Sequence, residues 1–491
     1  ISSIVSAVEG RILDNYSLSK ILIENIPSSV LEKISEIKAK RIYKIAKGKV
    51  PAYKKFIGNK IYNNLKEVPE TDKKNYIKKY TYNERCLNGK FPKIGNIDES
   101  SGSSGPPTNW IRSLKEEDLL FKAAKFEFFY TYNADKKNYV VLSGWSSGPW
   151  ATGVKFCEIL EHYTLVKNTT ADIENIIRSL KNLGKDKDYL IAGYPPFLKN
   201  LFDSKGINWK EYKIDVLTGG ESTSVEWKKY IRKSLGNKNA KVISSYGASD
   251  IDIGIGFETP FTEFIRELAY KNSKLNYELF KTGENPILFQ YNPLMHYIEN
   301  TTKGEYTITV LDENTASPKI KYNLHDTGGA IKYKEIFKTL NKFEKEKLNK
   351  YLKKNKTLKL PFLFVQGRKD GTIAIGGANI YPENVGSAIQ GYSNKVNRFM
   401  IERWIDDRLN SQFRVHVELR KGMKKSEEFK KKLEKLILQR LLEVNLEYAH
   451  YYSNDETNKE NMKPRIFLYD YEKEEMFKSQ DNKIKNAYIK N

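Results

Sequence analysis

Three short apolar runs, at 189–193, 214–221 and 241–250, constrain the fold of this chain more than any other feature of its sequence. Each has the composition of a strand buried on both faces, and each stops at glycine or another small residue. A helix-like segment at 223–235 separates the second run from the third, which is the strand–helix alternation of a parallel sheet. Ligands collect at the carboxyl ends of such strands, so we expect a site where the three runs end.

A serine- and glycine-rich segment at 100–108 is the first candidate ligand loop. Gly102 and Gly105 let the backbone turn its N–H groups toward an anion, and the serine hydroxyls can rotate to donate. Taken alone, this composition favours a flexible linker over a phosphate site. The choice therefore depends on distant partners in the chain.

Length and composition bound the answer. At 491 residues the chain is too long for one compact core, and an aromatic content of 12% excludes a disordered chain. The net charge of +23 comes from lysines spread over nearly every segment, with no recognisable nucleic-acid motif. We expect no specific nucleic-acid partner. The positive electrostatic field of the protein would instead attract ATP, coenzyme A or an acidic carrier protein.

Cysteine, histidine and apolar patterns exclude other classes. Cys86 and Cys157 cannot form a disulfide framework, and the five histidines lack metal-ligand spacing. No apolar run reaches about 18 residues, and no basic region followed by an apolar core begins the chain. These patterns predict a cytoplasmic protein with no membrane span.

Local patterns predict helices over 16–60 and strands within 118–154, including 126–132 and 139–142. The segment 144–150 then carries Trp145 and Trp150 between glycines. It suits the wall of a pocket for a flat ligand, and packing of the two rings in a core is the alternative.

Six motifs in a fixed order give the chain a family resemblance. They are the 100–108 segment, Gly219–Gly220–Glu221, 246–250, His325–Asp326, 367–370 and 379–383. In this order they resemble the adenylate-forming (ANL) superfamily, over roughly residues 40 to 491. The chain is most similar to the phenylacetate–CoA ligase-like branch, which also has a threonine at the position of Thr108 and a Pro-x-Tyr like the one ending at Tyr53.

The resemblance implies an α/β fold with a large N-terminal domain, 1–368, of β-sheets and flanking helices. A small mobile α+β domain, 369–491, would follow, with Asp370 as the hinge among glycines that can absorb large dihedral changes. Strand-like runs at 399–419 and an amphipathic helix at 425–442 suit that smaller domain.

The resemblance also implies roles for residues. Asp326 would accept the ribose hydroxyls of ATP, Tyr246 would lie against the adenine, and Asp250 would ligate Mg²⁺ where the family keeps Glu. Lys483 would be the catalytic lysine, but Lys485 is a rival because asparagines flank the motif where the family has Gly and Arg. The other implied positions are Ser101, Gly102, Ser103, Ser104, Gly105 and Thr108 for the phosphates, Gly220, Glu221, Gly247, Ser249 and Arg368 for the nucleotide, and Trp145, Trp150, Tyr194 and Gly219 for the acid.

The implied reaction has two steps. A carboxylic acid, by position an aryl or arylacetic acid, attacks ATP to give an acyl-adenylate and pyrophosphate, and the acyl group then passes to a thiol of coenzyme A or of a carrier-protein phosphopantetheine. Transfer to an amine and a scaffold that has lost catalysis are the alternatives. A Lys/Glu-rich insert at 332–359 departs from the family pattern, and we expect an extra surface helix or, less favoured, a docking site for an acidic partner.

Overall fold

The computed structural model describes residues 12–100, 107–148, 151–368, 372–454, 456 and 458–478. Its strands are β1 Gly95–Ser100, β2 Thr108–Ser113, β3 Tyr139–Ser143, β4 Leu165–Asn168, β5 Asp188–Gly193, β6 Lys213–Thr218, β7 Val242–Ala248, β8 Asp252–Phe257, β9 Ile287–Gln290, β10 His296–Asn300, β11 Glu305–Val310, β12 Tyr322–Ile331, β13 Phe362–Arg368, β14 Ile373–Ile375, β15 Ala378–Ile380, β16 Val396–Ile405, β17 Ser411–Leu419 and β18 Arg465–Tyr469.

The α-helices are α1 Tyr16–Asn25, α2 Ser28–Lys49, α3 Pro51–Ile57, α4 Tyr82–Arg85, α5 Leu114–Tyr132, α6 Ala151–Glu161, α7 Ile173–Leu183, α8 Pro195–Asp203, α9 Val225–Ser234, α10 Pro260–Tyr270, α11 Ser273–Phe280, α12 Tyr333–Thr339, α13 Lys342–Lys354, α14 Pro382–Ile389, α15 Glu427–Val444, α16 Leu446–Asn454, α17 Lys459–Met462 and α18 Glu475–Lys478. Single 3₁₀ or π turns lie at Leu65–Glu67, Lys73–Ile77, Leu87–Gly89, Trp209–Glu211 and Gln390–Tyr392.

One large sheet organises the part of the chain before residue 369 that the structure describes. Its eleven strands run in the order β10-β11-β12-β13-β9-β8-β7-β6-β5-β3-β4. The pairs formed by β4, β3, β5, β6 and β7 are parallel. The remaining pairs in the sheet, from β7–β8 to β10–β11, are antiparallel. The predicted parallel strands β5, β6 and β7 are thus confirmed, together with the helix α9 between the last two.

The predicted strand at 126–132 is wrong, because these residues end the long helix α5. A capping box of Ser113 and Glu116 begins this helix by satisfying its first N–H groups. Leu120, Ala123 and Phe126 are buried at three-residue intervals along it, which is helical spacing. The run of aromatic residues favoured a strand by composition, and the cap and the buried face override it.

The insert at 332–359 forms two helices, α12 and α13. Ile336 and Leu348 are fully buried, and both belong to an apolar cluster that includes Phe261 of α10 and Phe362 of β13. The predicted surface helix is therefore present as a packed pair, and its lysines face solvent. Whether an acidic partner docks there stays a prediction.

The residues after 371 that the structure describes bury an apolar cluster of their own. Strands β16, β17 and β18 form a sheet, and Leu433, Ile437 and Leu441 of α15 pack against it. The strand-like runs and the amphipathic helix predicted for this part are confirmed. Within the described ranges, no helix is both long and apolar enough to cross a membrane.

His296 of β10 is a buried histidine with a measurable consequence. Its side chain is 3% exposed, and its Nδ1 has no hydrogen-bond partner among the described residues. Burial lowers its pKa from 6.5 to about 4, although the nearby Asp252 opposes the shift. The folded protein therefore binds a proton at His296 less readily than the unfolded chain does.

Because this pKa is lowered in the folded state, the stability that neutral His296 contributes is present above pH 6.5 and is lost as pH falls toward 4. Between about pH 7.5 and pH 5 the loss from this residue should be about 2 kcal/mol. In urea unfolding measured at both pH values, His296→Gln should lose correspondingly less stability than the wild type. The exposed His162→Gln should behave like the wild type, and an unchanged pH dependence in His296→Gln would contradict the assignment.

Candidate active site

The phosphate-loop segment joins two paired strands. Strands β1 and β2 are antiparallel, with Ser100 opposite Thr108, so they enclose the segment 101–106 between them. Thr108 is buried, and its carbonyl accepts a hydrogen bond from the Ser100 hydroxyl at 3.5 Å. The predicted phosphate residues Ser101, Gly102, Ser103, Ser104 and Gly105 lie outside the described residues.

A cluster of polar side chains connects β7 with the paired strands β12 and β13. The Tyr246 hydroxyl donates to Asp326 Oδ2 and accepts a hydrogen bond from Tyr306 at 2.7 Å. Arg368, directly opposite Asp326 in the strand register, places its Nε 3.9 Å from Asp326 Oδ1. Burial and the Asp326 carboxylate raise the pKa of Tyr246 well above 10, so its hydroxyl stays a donor. The structure thus brings together three of the predicted nucleotide residues.

The tight turn between β7 and β8 contains three more predicted residues. A Cβ on Gly247 would lie 2.7 Å from backbone atoms of Ile253, so only glycine fits where the two strands approach. The carbonyls of Ser249 and Ile251, on either side of Asp250, both accept hydrogen bonds from Arg112. The Arg112 side chain of β2 therefore holds the turn in place.

Asp250 is the predicted metal ligand and is 7% exposed. Its Oδ2 accepts a hydrogen bond from the Tyr322 hydroxyl at 2.7 Å, and its Oδ1 lies 3.1 Å from the Lys73 ammonium. Among the described residues no group of three metal-ligating side chains occurs. A single carboxylate fits a Mg²⁺ ion that takes its other ligands from phosphates and water, because this ion keeps much of its hydration shell.

Sequence reasoning missed the segment around Lys73. Asp72 does cap the turn that follows, through Asn75, as its residue type predicts. The structure also brings Asp72 to 3.4 Å from His325 Nε2, and Thr71 pairs with Tyr322 of β12. No local pattern signals these contacts, since they join segments about 250 residues apart.

The Gly219–Gly220–Glu221 motif follows β6, and its carboxylate contacts the C-terminal part of the chain. Glu221 Oε1 accepts a hydrogen bond from the Gly377 N–H at 2.9 Å, and Oε2 lies 3.1 Å from Arg403 Nη2. The Glu221 side chain is fully buried, and burial raises its pKa even though Arg403 opposes the shift. Gly220 has a positive φ of 77°, which suits glycine.

Two of the predicted acid-pocket residues are in contact distance of each other. A Cβ on Gly219 would come within 3.7 Å of the Trp145 ring, and Trp145 also packs edge-on against Phe156. Tyr194 directly precedes α8, and its ring centroid lies 5.3 Å from that of Tyr451 in the C-terminal part. Trp150 lies outside the described residues, as do the predicted hinge Asp370 and the lysines Lys483 and Lys485.

A cleft of about 170 Å³ separates the end of the parallel sheet from the C-terminal sheet. Ser222 and Trp227 line it from one side, and Arg403 and Ser411 line it from the other. Arg403 Nη1 bridges the cleft by donating to the Ser222 hydroxyl at 3.0 Å. The cleft begins next to the Gly219–Glu221 motif, so a ligand in it would reach the strand ends.

No family profile and no curated protein matches this sequence. Among solved structures, the chain is similar to a 2-hydroxyisobutyryl-CoA ligase bound to 2-HIB-AMP and CoA in the thioesterification state, with a TM-score of 0.63 and 13% identity over 95% of this chain and 91% of that one. The open form of the same ligase gives a TM-score of 0.53 at 13% identity, covering 91% of this chain and 90% of the ligase.

The postadenylation state of that ligase in complex with 2-HIB-AMP gives a TM-score of 0.52 at 13% identity, covering 96% of this chain and 90% of the ligase. Identity at this level establishes the fold and not the substrate. The α/β architecture expected for this chain, with a large N-terminal sheet and a smaller α+β C-terminal part, is therefore confirmed, and the chain shares the fold of that CoA ligase.

Proposed function

We propose that this protein activates a carboxylic acid with ATP to an acyl-adenylate and then transfers the acyl group to a thiol. The observation that carries the proposal is that Asp326 of β12 contacts both Tyr246 of β7 and Arg368 of β13. A buried carboxylate supported by a guanidinium, beside an aromatic ring, suits the ribose and adenine of a nucleotide. The fold it shares with a CoA ligase supports the same reading.

In the proposed complex, the segment 101–106 holds the β- and γ-phosphates, and Asp250 with Lys73 faces them. Asp250 would be the ligand of Mg²⁺, which when bound neutralises charge on the phosphates. Attack of the acid on the α-phosphate needs positioning and positive charge, with no covalent intermediate on the enzyme. Lys483 is proposed as the lysine that stabilises the developing charge.

The acceptor thiol is proposed to enter through the cleft between Trp227 and Arg403. Ser222, which directly follows the Gly219–Glu221 motif, lines this cleft. Coenzyme A and a phosphopantetheine arm share the same thiol chemistry, so the cleft suits either. We assign the chain to the phenylacetate–CoA ligase-like branch and its acid to the aryl or arylacetic class, on the strength of Thr108 and the Trp145 ring.

The domain organisation is part of the proposal. We place the boundary at residues 368 and 369 with the hinge at Asp370, so that the C-terminal part alternates between presenting Lys483 and admitting the thiol.

A panel of aromatic and aliphatic acids in a pyrophosphate-release assay tests this function, with Lys483→Ala as the internal comparison. Adenylate formation should fall about a thousandfold or more in Lys483→Ala, because the charge that builds on the phosphates loses its lysine. Thiolysis of a chemically supplied acyl-adenylate should stay nearly intact. A loss in Lys485→Ala but not in Lys483→Ala would identify the other lysine, and ATP binding without acid-dependent pyrophosphate release would support a scaffold that has lost catalysis.

Asp326→Ala should weaken ATP binding as well as turnover, by about tenfold or more, because both ribose hydroxyls lose a charged acceptor. Equilibrium binding of ATP by calorimetry measures this directly. Asp326→Asn is the matched control, since it keeps one acceptor oxygen and the side-chain volume and should lose less. Unchanged affinity in Asp326→Ala would remove this residue from the nucleotide site.

Asp370→Pro should separate the two half-reactions. Proline fixes φ near −65° and removes an N–H, so a hinge at this residue can no longer rotate. We expect the acyl-adenylate to form at close to the normal rate while acyl transfer falls to a small fraction of its rate, in single-turnover kinetics of each step. Equal losses in both steps would show that residue 370 is not a hinge.

A further inference from the structure

Five buried charged side chains lie together beside the turn that carries Asp250, and we call them the Arg112 cluster. They come from five different elements, and each residue is at most 7% exposed except Asp252, whose side chain is 15% exposed. The members are Asp98 of β1, Arg112 of β2, Glu117 of α5, Lys155 of α6 and Asp252 of β8.

Arg112 uses its three nitrogens on three different groups. Its Nε donates to Asp98 Oδ2 at 2.7 Å, its Nη1 to the Ile251 carbonyl at 2.7 Å, and its Nη2 to the Ser249 carbonyl at 2.9 Å. The last two groups stand immediately before and after Asp250. A planar guanidinium holds such partners in fixed directions, which a lysine ammonium does not.

The same cluster fixes the strands that enclose the phosphate segment. Asp98 lies two residues before the end of β1, and Arg112 lies on the paired strand β2. Lys155, which is 1% exposed, donates to the same Asp98 oxygen at 2.7 Å and to Glu117 Oε1 at 2.9 Å. The turn with Asp250 and the two strands around 101–106 are thus joined through one buried set of hydrogen bonds.

Stability alone is a weak reason for such a cluster. Buried ion pairs are costly to desolvate, and apolar residues of similar volume often serve as well or better. Burial raises the pKa of Glu117 to about 7 against the opposing effect of Lys155, which shows that the desolvation cost is substantial here. What a buried charged network does supply is a fixed geometry, because its hydrogen bonds hold each donor and acceptor in place relative to the others.

We propose that Arg112 is a positioning residue for the adenylation step, which sets the place of the Asp250 carboxylate by holding the turn that carries it. The proposal rests on the proposed function, in which Asp250 faces the metal and the phosphates of ATP. Arg112 itself touches neither the nucleotide nor the acid. It acts through the two carbonyls on either side of Asp250, and it has no part in the acyl-transfer step.

The test compares Arg112→Met and Arg112→Lys with Arg398→Met. Arg398 is a matched control, since it is a largely buried arginine whose Nε donates to Glu418 at 2.8 Å in the C-terminal sheet, remote in the fold from Asp250. For each full-length variant, the Mg²⁺ concentration that half-saturates adenylation, the KM for the acid and the rate of thiolysis of a supplied acyl-adenylate are measured. Urea unfolding reports how much stability each variant loses.

In Arg112→Met we expect the half-saturating Mg²⁺ concentration to rise about tenfold and adenylation at fixed Mg²⁺ to fall by a similar factor. High Mg²⁺ should restore most of the rate, and the KM for the acid and the thiolysis rate should change less than about twofold. The half-saturating Mg²⁺ concentration of Arg112→Lys should lie between those of Arg112→Met and the wild type. Lysine keeps the positive charge but lacks the planar guanidinium with its several donors. Arg398→Met should lose stability without any change in Mg²⁺ dependence.

Equal losses in adenylation and thiolysis with unchanged Mg²⁺ dependence would reduce Arg112 to a structural role and overturn the proposal. Calorimetric ATP affinity, measured with and without Mg²⁺, gives a second readout that needs no turnover. The gain in affinity on adding Mg²⁺ should be smaller in Arg112→Met than in the wild type, and an equal gain would also overturn the proposal. A wild type that binds Mg²⁺ and ATP but releases no pyrophosphate with any acid would contradict the proposed function alone, whereas failure to bind ATP would overturn both.

Discussion

The candidate site depends on the pairing of β7, the strand at which the large sheet changes from parallel to antiparallel. Strand β7 is parallel to β6 on one side and antiparallel to β8 on the other. Its carboxyl end therefore meets the Gly219–Glu221 motif from one half of the sheet and Asp326 from the other. Ligands bind where the connections of an α/β sheet diverge, and this is such a place. Gly247 makes the change possible, since any larger residue would collide with Ile253.

Buried charges then fix the loops that leave these strands. The Arg112 cluster contacts the turn at 249–251. A second buried network, around Glu258, contacts the loop at 221–224. Glu258 is fully buried, pairs with Lys228 and accepts a hydrogen bond from the Ser244 N–H, while Arg266 donates to the Thr223 carbonyl at 2.6 Å. Loops are the more mobile part of a fold. These two loops have a defined position because buried side chains hold their backbones through charge-assisted hydrogen bonds. Each of the two loops therefore has its own set of buried hydrogen bonds.

The sequence predicted the parallel strands well, because a strand buried on both faces leaves a short apolar run that few other elements produce. It also placed Asp326 and Arg368 in one site through the order of the motifs, and the structure brings them together opposite one another in the strand register. It failed at 126–132, where aromatic composition suggested a strand and a capping box sixteen residues before the middle of the run had already begun a helix.

Sequence reasoning also failed at Lys73 and Arg112, for a different reason. The contact of Lys73 with Asp250 and the contacts of Arg112 with residues 249 and 251 join segments more than 130 residues apart. Each is created by the packing of a loop or a ribbon on the sheet, and no periodicity or spacing within either segment encodes it. The chain has many lysines and arginines, and the residues next to Lys73 and Arg112 do not distinguish these two from the exposed ones.

Glu221 connects this site to the proposed exchange of conformations. Its carboxylate is fully buried, and its partners Gly377 and Arg403 both belong to the part of the chain that is proposed to rotate. If that part moves away, Glu221 loses a charged partner and a backbone N–H, and a buried carboxylate without them is strongly disfavoured. The same movement would expose Glu221 to water, which solvates its charge. Burial raises the pKa of Glu221, so its present site solvates the anion poorly. The gain in hydration therefore offsets much of the loss of the two partners. Neither arrangement is then favoured so heavily that the other is lost, as a two-state equilibrium requires.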